Sequence, residues 1–255
     1  MVFRQFLHTS PIAASYLFGC GGRGQCVVVD PLEDIVPYLK ASDETGMRIT
    51  YVIDTHVHAD HVSGARTLAD RVGAPYLLHA SAGARGSTAT HDGDLLNVGN
   101  VTIRFLHTPG HTPEHMSLLV TDRTRGPEPW FILTGHTLMA GDMGRTELAT
   151  TAEDGAHALF DSAARLRALP DYVEVWPGAF AGSVCGRHLS AKAPTTIGFE
   201  RRFNQAFRIE AREAFIRHML SDIPARPPAA DALRAINLAR AGLRPEIQLG
   251  ALTRM

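Results

Sequence analysis

The chain has 255 residues, 45% of them apolar and 20% charged, with a formal charge of −1. This length buries a sizeable core as one large domain or as a domain with an appendage, and the composition is that of a soluble globular protein rather than a disordered or membrane-embedded one. The charge balance excludes a nucleic-acid binder of the basic kind, and no apolar stretch approaches the roughly 20 residues needed to span a bilayer.

In chain order, MVFRQFL and ASYLFG carry apolar residues at strand-like intervals, and Gly21, Gly22 and Gly24 turn the chain into the β-rich run QCVVVD. The apolar run before Cys20 is short, is broken by Ser15 and Tyr16, and lacks a basic leader, so it reads as a strand rather than a lipoprotein signal. Further strands are predicted at 25–30, 49–54, 75–79, 101–107, 116–121 and 130–135, alternating with helices at 33–44, 62–72 and 153–169. That alternation is the signature of an α/β architecture with helices packed on sheet faces. Gly73-Ala74-Pro75, Thr108-Pro109-Gly110 and Gly126-Pro127 mark loops. From about 197 the texture becomes helical, interrupted at Pro224 and at Pro227-Pro228, so residues 1–196 are expected to form the main domain and 197–255 a helical segment packed on it. Cys20, Cys26 and Cys185 have no metal-type spacing, and their odd number argues against a full disulfide framework. A reducing, cytoplasmic location follows as the default expectation.

Thirteen histidines are the compositional oddity. THVHADH, residues 55–61, follows the apolar run ITYVID and places His56, His58, Asp60 and His61 at a strand end. His56 and His58 are two apart and share one side of a continuing strand, while Asp60 and His61 lie on the turn beyond. Imidazole and carboxylate donors suit zinc or iron. FLHTPGHTPEH, residues 105–115, ends a second apolar strand, and its turn directs His111 back toward the first cluster. His107 and His115 belong to the flanking strands and are read as structural, as are His79, His91, His157 and His218, which have no motif around them.

THVHADH, TPGH, the TG of WFILTGHTL, GRTEL and a late VWPG, in this order, resemble the metallo-β-lactamase superfamily. ASYLFGCG, VVVDP, DTHVHADHVSGAR, GSVCGRHLS and TTIGFERRFN are similar to its persulfide dioxygenase and rhodanese-associated branch, close to glyoxalase II. The resemblance implies a four-layer αβ/βα metallo-β-lactamase sandwich with a C-terminal helical appendage and a metal site on the rim between two sheets. It also implies one metal position at His56, His58 and His111, with Asp60 and His61 contributing to a second. Two positions depart from the family pattern. TGH stands where TGD is usual, so His136 replaces a bridging carboxylate, and PGA stands where PGH or PAH is usual, so Ala179 replaces the last histidine.

An aspartate bridges two cations and offsets their repulsion, whereas one imidazole nitrogen serves one ion and adds no charge. The expectation is therefore one tightly held ion, with His136 closing a site with His56 and His111 while His58 binds or stays nearby. The alternative is a rearranged two-metal site in which His136 joins Asp60 and His61. Carried over to this chain, the resemblance implies a non-heme Fe(II) dioxygenase acting on a small thiol, persulfide or other anionic substrate. The alternative is a zinc hydrolase of a thioester, lactone or related acyl substrate, with His56, His58 and His111 as ligands and Asp60 working on the bound water. A third reading is a chain impaired in catalysis, or engineered, at these two positions. Arg145 of GRTEL is a candidate for a substrate carboxylate, or for an ion pair with Glu147 or Asp142. Cys185 is expected to pack, Gly178 and Gly182 to form a tight loop around Ala179, and the missing imidazole to leave space near the metal. The partners expected are a small-molecule substrate, no nucleic acid, no membrane and, from the resemblance, a homodimer.

Overall fold

In the computed structural model, which describes residues 1–238, apolar side chains of alternating strand positions divide between two sides of each sheet. The first sheet contains β1 (Val2–Thr9), β2 (Ile12–Cys20), β3 (Gln25–Val29), β4 (Arg48–Ile53), β5 (Tyr76–His79) and β6 (Thr88–Thr90), in that order across it. Helices α1 (Val36–Thr45) and α2 (Ala65–Val72) connect β3 to β4 and β4 to β5, pairs that run parallel.

The second sheet is made of β7 (Leu95–Val98), β8 (Val101–His107), β9 (Met116–Asp122), β10 (Phe131–Gly135), β13 (Glu174–Pro177) and β14 (Thr195–Thr196), with β14 and β7 at its edges. A small hairpin of β11 (Leu138–Met139) and β12 (Asp142–Met143) leaves the end of β10, and α3 (Ala152–Arg167) leads from it to β13. The helices α4 (Ile197–Phe203), α5 (Arg212–Leu220) and α6 (Ala230–Asn237) follow.

The period of two along β2 and β3 shows how the layers form. Tyr16, Phe18, Val27 and Val29 meet Ile103, Phe105, Leu118 and Phe131 of the other sheet, while Leu17, Cys26 and Val28 face Tyr38 and Leu68 of α1 and α2. Ile132 and Val175 on the outer side of the second sheet pack with Leu159 and Leu166 of α3 and with Phe207 and Phe215. The order of layers is helices, sheet, sheet, helices, as expected. Because both faces of the inner strands are covered, they read as continuous apolar runs rather than alternating ones. No helix among the described residues is long and apolar enough to cross a membrane.

The predicted helix at 62–72 starts only at Ala65. Residues 62–64 are held instead by the loop after β3, where Gly64 N donates to Pro31 O at 2.8 Å and a side chain on Gly64 would meet Leu32 O at 2.0 Å. The C-terminal helices α4 to α6 lie beyond the two-sheet core and pack back onto it. α5 packs on α3, and α6 reaches back to the loop after β4, where Arg234 Nη1 donates to Val57 O at 2.8 Å. The part of the predicted helical segment beyond 238 lies outside the described residues.

Candidate metal centre

The three loops that follow β4, β8 and β10 converge on one rim of the sandwich. β4 delivers His56, His58, Asp60 and His61; β8 delivers His111; β10 delivers His136. Gly135 makes the last placement possible: its φ is +47°, and a side chain there would lie 2.5 Å from His115 Nε2 and 2.6 Å from Thr55 Oγ1. Gly110, with φ +138°, lets the His111 loop lie against the backbone of Leu159 in α3.

Asp30, at the end of β3, organises the cluster. It is the one non-glycine residue with positive φ among those described, at 51°, a conformation retained where the surroundings over-determine it. Its Oδ1 accepts from Thr55 N at 2.6 Å and from His58 Nε2 at 3.2 Å, and its Oδ2 accepts from the Thr55 hydroxyl at 2.9 Å. Since the Thr55 proton is committed to Asp30, the hydroxyl oxygen accepts from His56 Nδ1, 2.9 Å away. His56 Nε2 is then left with its lone pair, buried and without a partner among the described residues. His111 is fixed in the same way: its Nδ1 donates to Arg145 O at 2.8 Å, leaving Nε2 as the acceptor.

His56, His111 and His136 each offer a nitrogen within 4.8 Å of the others, and all three are buried. Burial, and then the neighbouring imidazoles, hold His56 and His111 well below the ordinary histidine value of 6.5. Burial also lowers His136, against the opposing pull of Asp60. Neutral imidazoles with inward lone pairs are the donors a divalent cation requires, and the orphaned His56 Nε2 fits that use.

His58 stands apart from this trio. It groups with Asp60 and His61, its Nδ1 3.7 Å from Asp60 Oδ1 and its Nε2 tied to Asp30. Burial alone would lower His58, but the carboxylates of Asp30, Asp60 and Asp54 outweigh it and raise its pKa well above 6.5. Asp60 lies 3.1 Å from His61 Nδ1, and neither of its oxygens has a hydrogen-bond partner among the described residues. Burial would raise Asp60, yet His61, His58 and His136 together hold its carboxyl well below the usual range.

The guanidinium of Arg145 contacts Glu147 and the carbonyls of Val184, Ala225 and Pro224, the last two in the segment leading to α6. The ion pair with Glu147 that the sequence offers is present and buried, and every described polar contact of the guanidinium is internal. His115 stacks on His56 with ring centres 5.0 Å apart; its Nε2 accepts from His136 N, and its Nδ1 faces Thr108 and Thr137 hydroxyls, so it has no nitrogen to spare. His107 stacks on His79 outside the cluster.

Three residues escaped the sequence reading. Asp30 sits in VVVDP with no spacing signal beyond its strand end. Asn237 donates to His58 O and His61 O, both at 2.9 Å, and accepts from Ser63 N at 2.9 Å, a pairing across about 175 residues that no local pattern reveals. Cys185, expected to pack, brings its sulfur within 4.8 Å of donor atoms of Asp60 and His136.

A two-sheet α/β sandwich with buried histidine and carboxylate donors on its rim defines a metal-binding protein of the kind that does chemistry at a bound cation. The chain belongs to the metallo-beta-lactamase superfamily, whose pattern matches residues 11–178. Its fold is similar to that of a metallo-beta-lactamase from Staphylococcus aureus subsp. aureus COL, at 35% identity and a TM-score of 0.88 over 93% of this chain and 72% of that one. It is also similar to ETHE1 from Myxococcus xanthus, at 30% identity and a TM-score of 0.80 over 94% and 99%. In sequence it is 29% identical to a hydroxyacylglutathione hydrolase of Polaromonas sp. over 84% of this chain and 89% of that protein.

Proposed function

We propose that the chain is a non-heme Fe(II) dioxygenase acting on a small thiol, persulfide or other anionic substrate, with His56, His111 and His136 as its protein donors. The observation that carries this reading is the convergence of three buried imidazoles within 4.8 Å, with His56 Nε2 unpartnered among the described residues. Bound Fe(II) held by three protein donors supplies open positions for substrate and dioxygen. The three imidazoles bring no negative charge, so they leave the cation's charge to be met by the substrate, which selects an anionic sulfur over a neutral one. Asp60 and His61, 3.1 Å apart, are the proposed proton-handling pair beside it. The likeness to ETHE1 over nearly the whole of both chains, and to the human persulfide dioxygenase ETHE1 over 58% of this chain and 56% of that protein, supports the choice.

A zinc hydrolase is the second reading, favoured by the unpartnered Asp60 carboxylate, which suits a water-orienting base, and by the extent of the match to the hydroxyacylglutathione hydrolase. Metal analysis of protein purified without added metal separates the two. Iron, with oxygen consumed on addition of a low-molecular-weight persulfide, supports the first. Zinc with thioester hydrolysis, and no oxygen uptake after iron loading, overturns it.

A further inference from the structure

We propose that the open end of the second sheet is a docking groove for a short, extended segment of another protein that carries both carboxylates and apolar side chains. The helical layer on this sheet packs against Leu106, Leu119 and Ile132. Beyond them, toward the edge strand β7, the outer face is exposed, and with the loop at 123–129 it forms a groove of about 720 Å³. That volume lies within the range of roughly 300–1,000 Å³ that ligand sites occupy. No residue of the histidine cluster lines the groove, so its role does not depend on which cation the cluster holds.

The strand register fixes what the groove presents. Leu95 of β7 pairs with Arg104 of β8, and Arg104 pairs with Leu119 of β9, so one guanidinium stands between two leucines in a row across the sheet. Thr102 and Thr121 are paired in the next row. Leu95 is 58% exposed and Arg104 is exposed, whereas the alternate residues Ile103, Phe105, Leu118 and Val120 are buried between the sheets. Pro127 and Pro129 line the groove on the side of the loop.

Charge decides the occupant. Arg104 and Arg123 line the groove, and no carboxylate does. Seven other arginines hold carboxylate partners among the described residues, and these two are not among them. Arg123 is nonetheless fixed in place: its Nε and Nη2 donate to Asn100 O and Gly99 O at 3.4 and 2.7 Å, which leaves Nη1 for a ligand. A chain with a formal charge of −1 thus sets two uncompensated guanidinium groups around an apolar floor, an arrangement that complements carboxylates interleaved with apolar side chains. A second copy seated on the same face by a two-fold axis would bring like charges together, which disfavours it. The groove is smaller than the interfaces of permanent complexes, so the contact is transient and sensitive to salt.

Fluorescence polarisation with the full-length protein and a labelled peptide of Glu-Glu-Val-Val repeats tests the proposal. When that peptide is extended, each of its faces alternates carboxylate and apolar side chain. Saturable micromolar binding is expected at about 50 mM salt, weakened several-fold at about 500 mM. Arg104→Glu should weaken it by roughly tenfold or more, and Arg104→Lys by less, because an ammonium keeps the charge and loses the fork. Since Arg104 is exposed, both variants should keep the wild-type thermal midpoint. Counterpart peptides with Lys for Glu, or with Ser for Val, should bind at least about tenfold more weakly. In the wild-type protein the amide shifts caused by the peptide should fall on β7, β8 and β9. Absence of saturable binding below about 1 mM, equal binding of either counterpart, or unchanged affinity in Arg104→Glu would each overturn the proposal. Self-association of the protein that Arg104→Glu abolishes would make a second copy the occupant, and binding of dodecanoate at these strands without binding of the peptide would make the groove a small-molecule site; either result overturns it as well.

Discussion

Replacing Asp30 by Asn tests how the metal donors are oriented. Asn tolerates the positive φ at this position and has nearly the same shape, so the change is confined to one oxygen becoming an NH2 group. With Oδ1 retained for Thr55 N, the amide nitrogen takes the place of Oδ2, 2.9 Å from the Thr55 hydroxyl. That hydroxyl then accepts from the introduced amide rather than donating, and its own proton turns to His56 Nδ1, 2.9 Å away. His56 must move its proton to Nε2, the nitrogen that otherwise offers a lone pair to the cation. Loss of this orientation should weaken metal binding by roughly 10- to 100-fold, the range for groups that position a ligand without touching the metal. The hydrogen bonds lost to a buried carboxylate should cost about 1.5–3 kcal/mol in stability of the metal-free protein. Competition with a chromophoric chelator measures the first effect, and nitrogen chemical shifts of the His56 ring report the tautomer directly. Unchanged affinity together with an unchanged His56 tautomer would refute the relay from Asp30 through Thr55.

Other perturbations have distinct outcomes. His56→Ala or His111→Ala should remove the ion of the three-histidine site, whereas Asp60→Ala should leave that ion bound and change turnover by roughly 10- to 100-fold; equal loss of that ion in all three variants, measured by metal analysis, would place Asp60 among its ligands. Because the folded protein holds His56, His111 and His115 well below 6.5, it binds fewer protons than the unfolded chain under acid conditions, so stability of the metal-free form should fall as pH drops below about 6.5, by up to ~1.4 kcal/mol per pH unit for each histidine, while His58, raised well above 6.5, is protonated in both states there and lowers stability only as pH rises above that value; a thermal midpoint independent of pH between about 5 and 6.5 would count against burial of neutral imidazoles. Asn237→Ala strands His58 O, His61 O and Ser63 N, and should destabilise the protein by about 1–3 kcal/mol and speed amide exchange in residues 57–63. The double change His136→Asp with Ala179→His restores the two donors that the family resemblance leads one to expect and should raise metal content from one ion per chain towards two; unchanged stoichiometry by metal analysis would contradict the reading of these two positions.

The strands with long apolar runs were legible because burial on both faces writes itself into composition, as in QCVVV and FILTG. β6, β11, β12 and β14 were not, since two or three residues at a sheet edge or in a small hairpin carry no period, and the four-residue strands β7 and β13 were missed for the same shortness. Helix α3 was readable to within two residues at either end because Thr151 caps it and its buried positions recur every three or four residues. In the site, the strand-end histidines announced themselves through spacing, while the division of labour among them did not. Whether His58 or His136 joins His56 and His111 depends on how rings turn once Asp30 has taken His58 Nε2, which is a matter of tertiary geometry. Arg145 illustrates the opposite limit. Its motif was visible, but its actual partners, the carbonyls of Pro224 and Ala225, lie about 80 residues away in a segment whose course the sequence leaves open.

The grip of Asn237 on the histidine loop also bears on the order in which the molecule is completed. The loop at 55–63 leaves the ribosome early, yet two of its carbonyls and one of its amides wait for a side chain made some 175 residues later. Contacts of such separation are closed last, after the sheets and the helices between them have formed. During synthesis, therefore, the sandwich can assemble with its rim unfinished, and the docking of α6 is the step that converts a folded scaffold into one whose histidine loop is held in place.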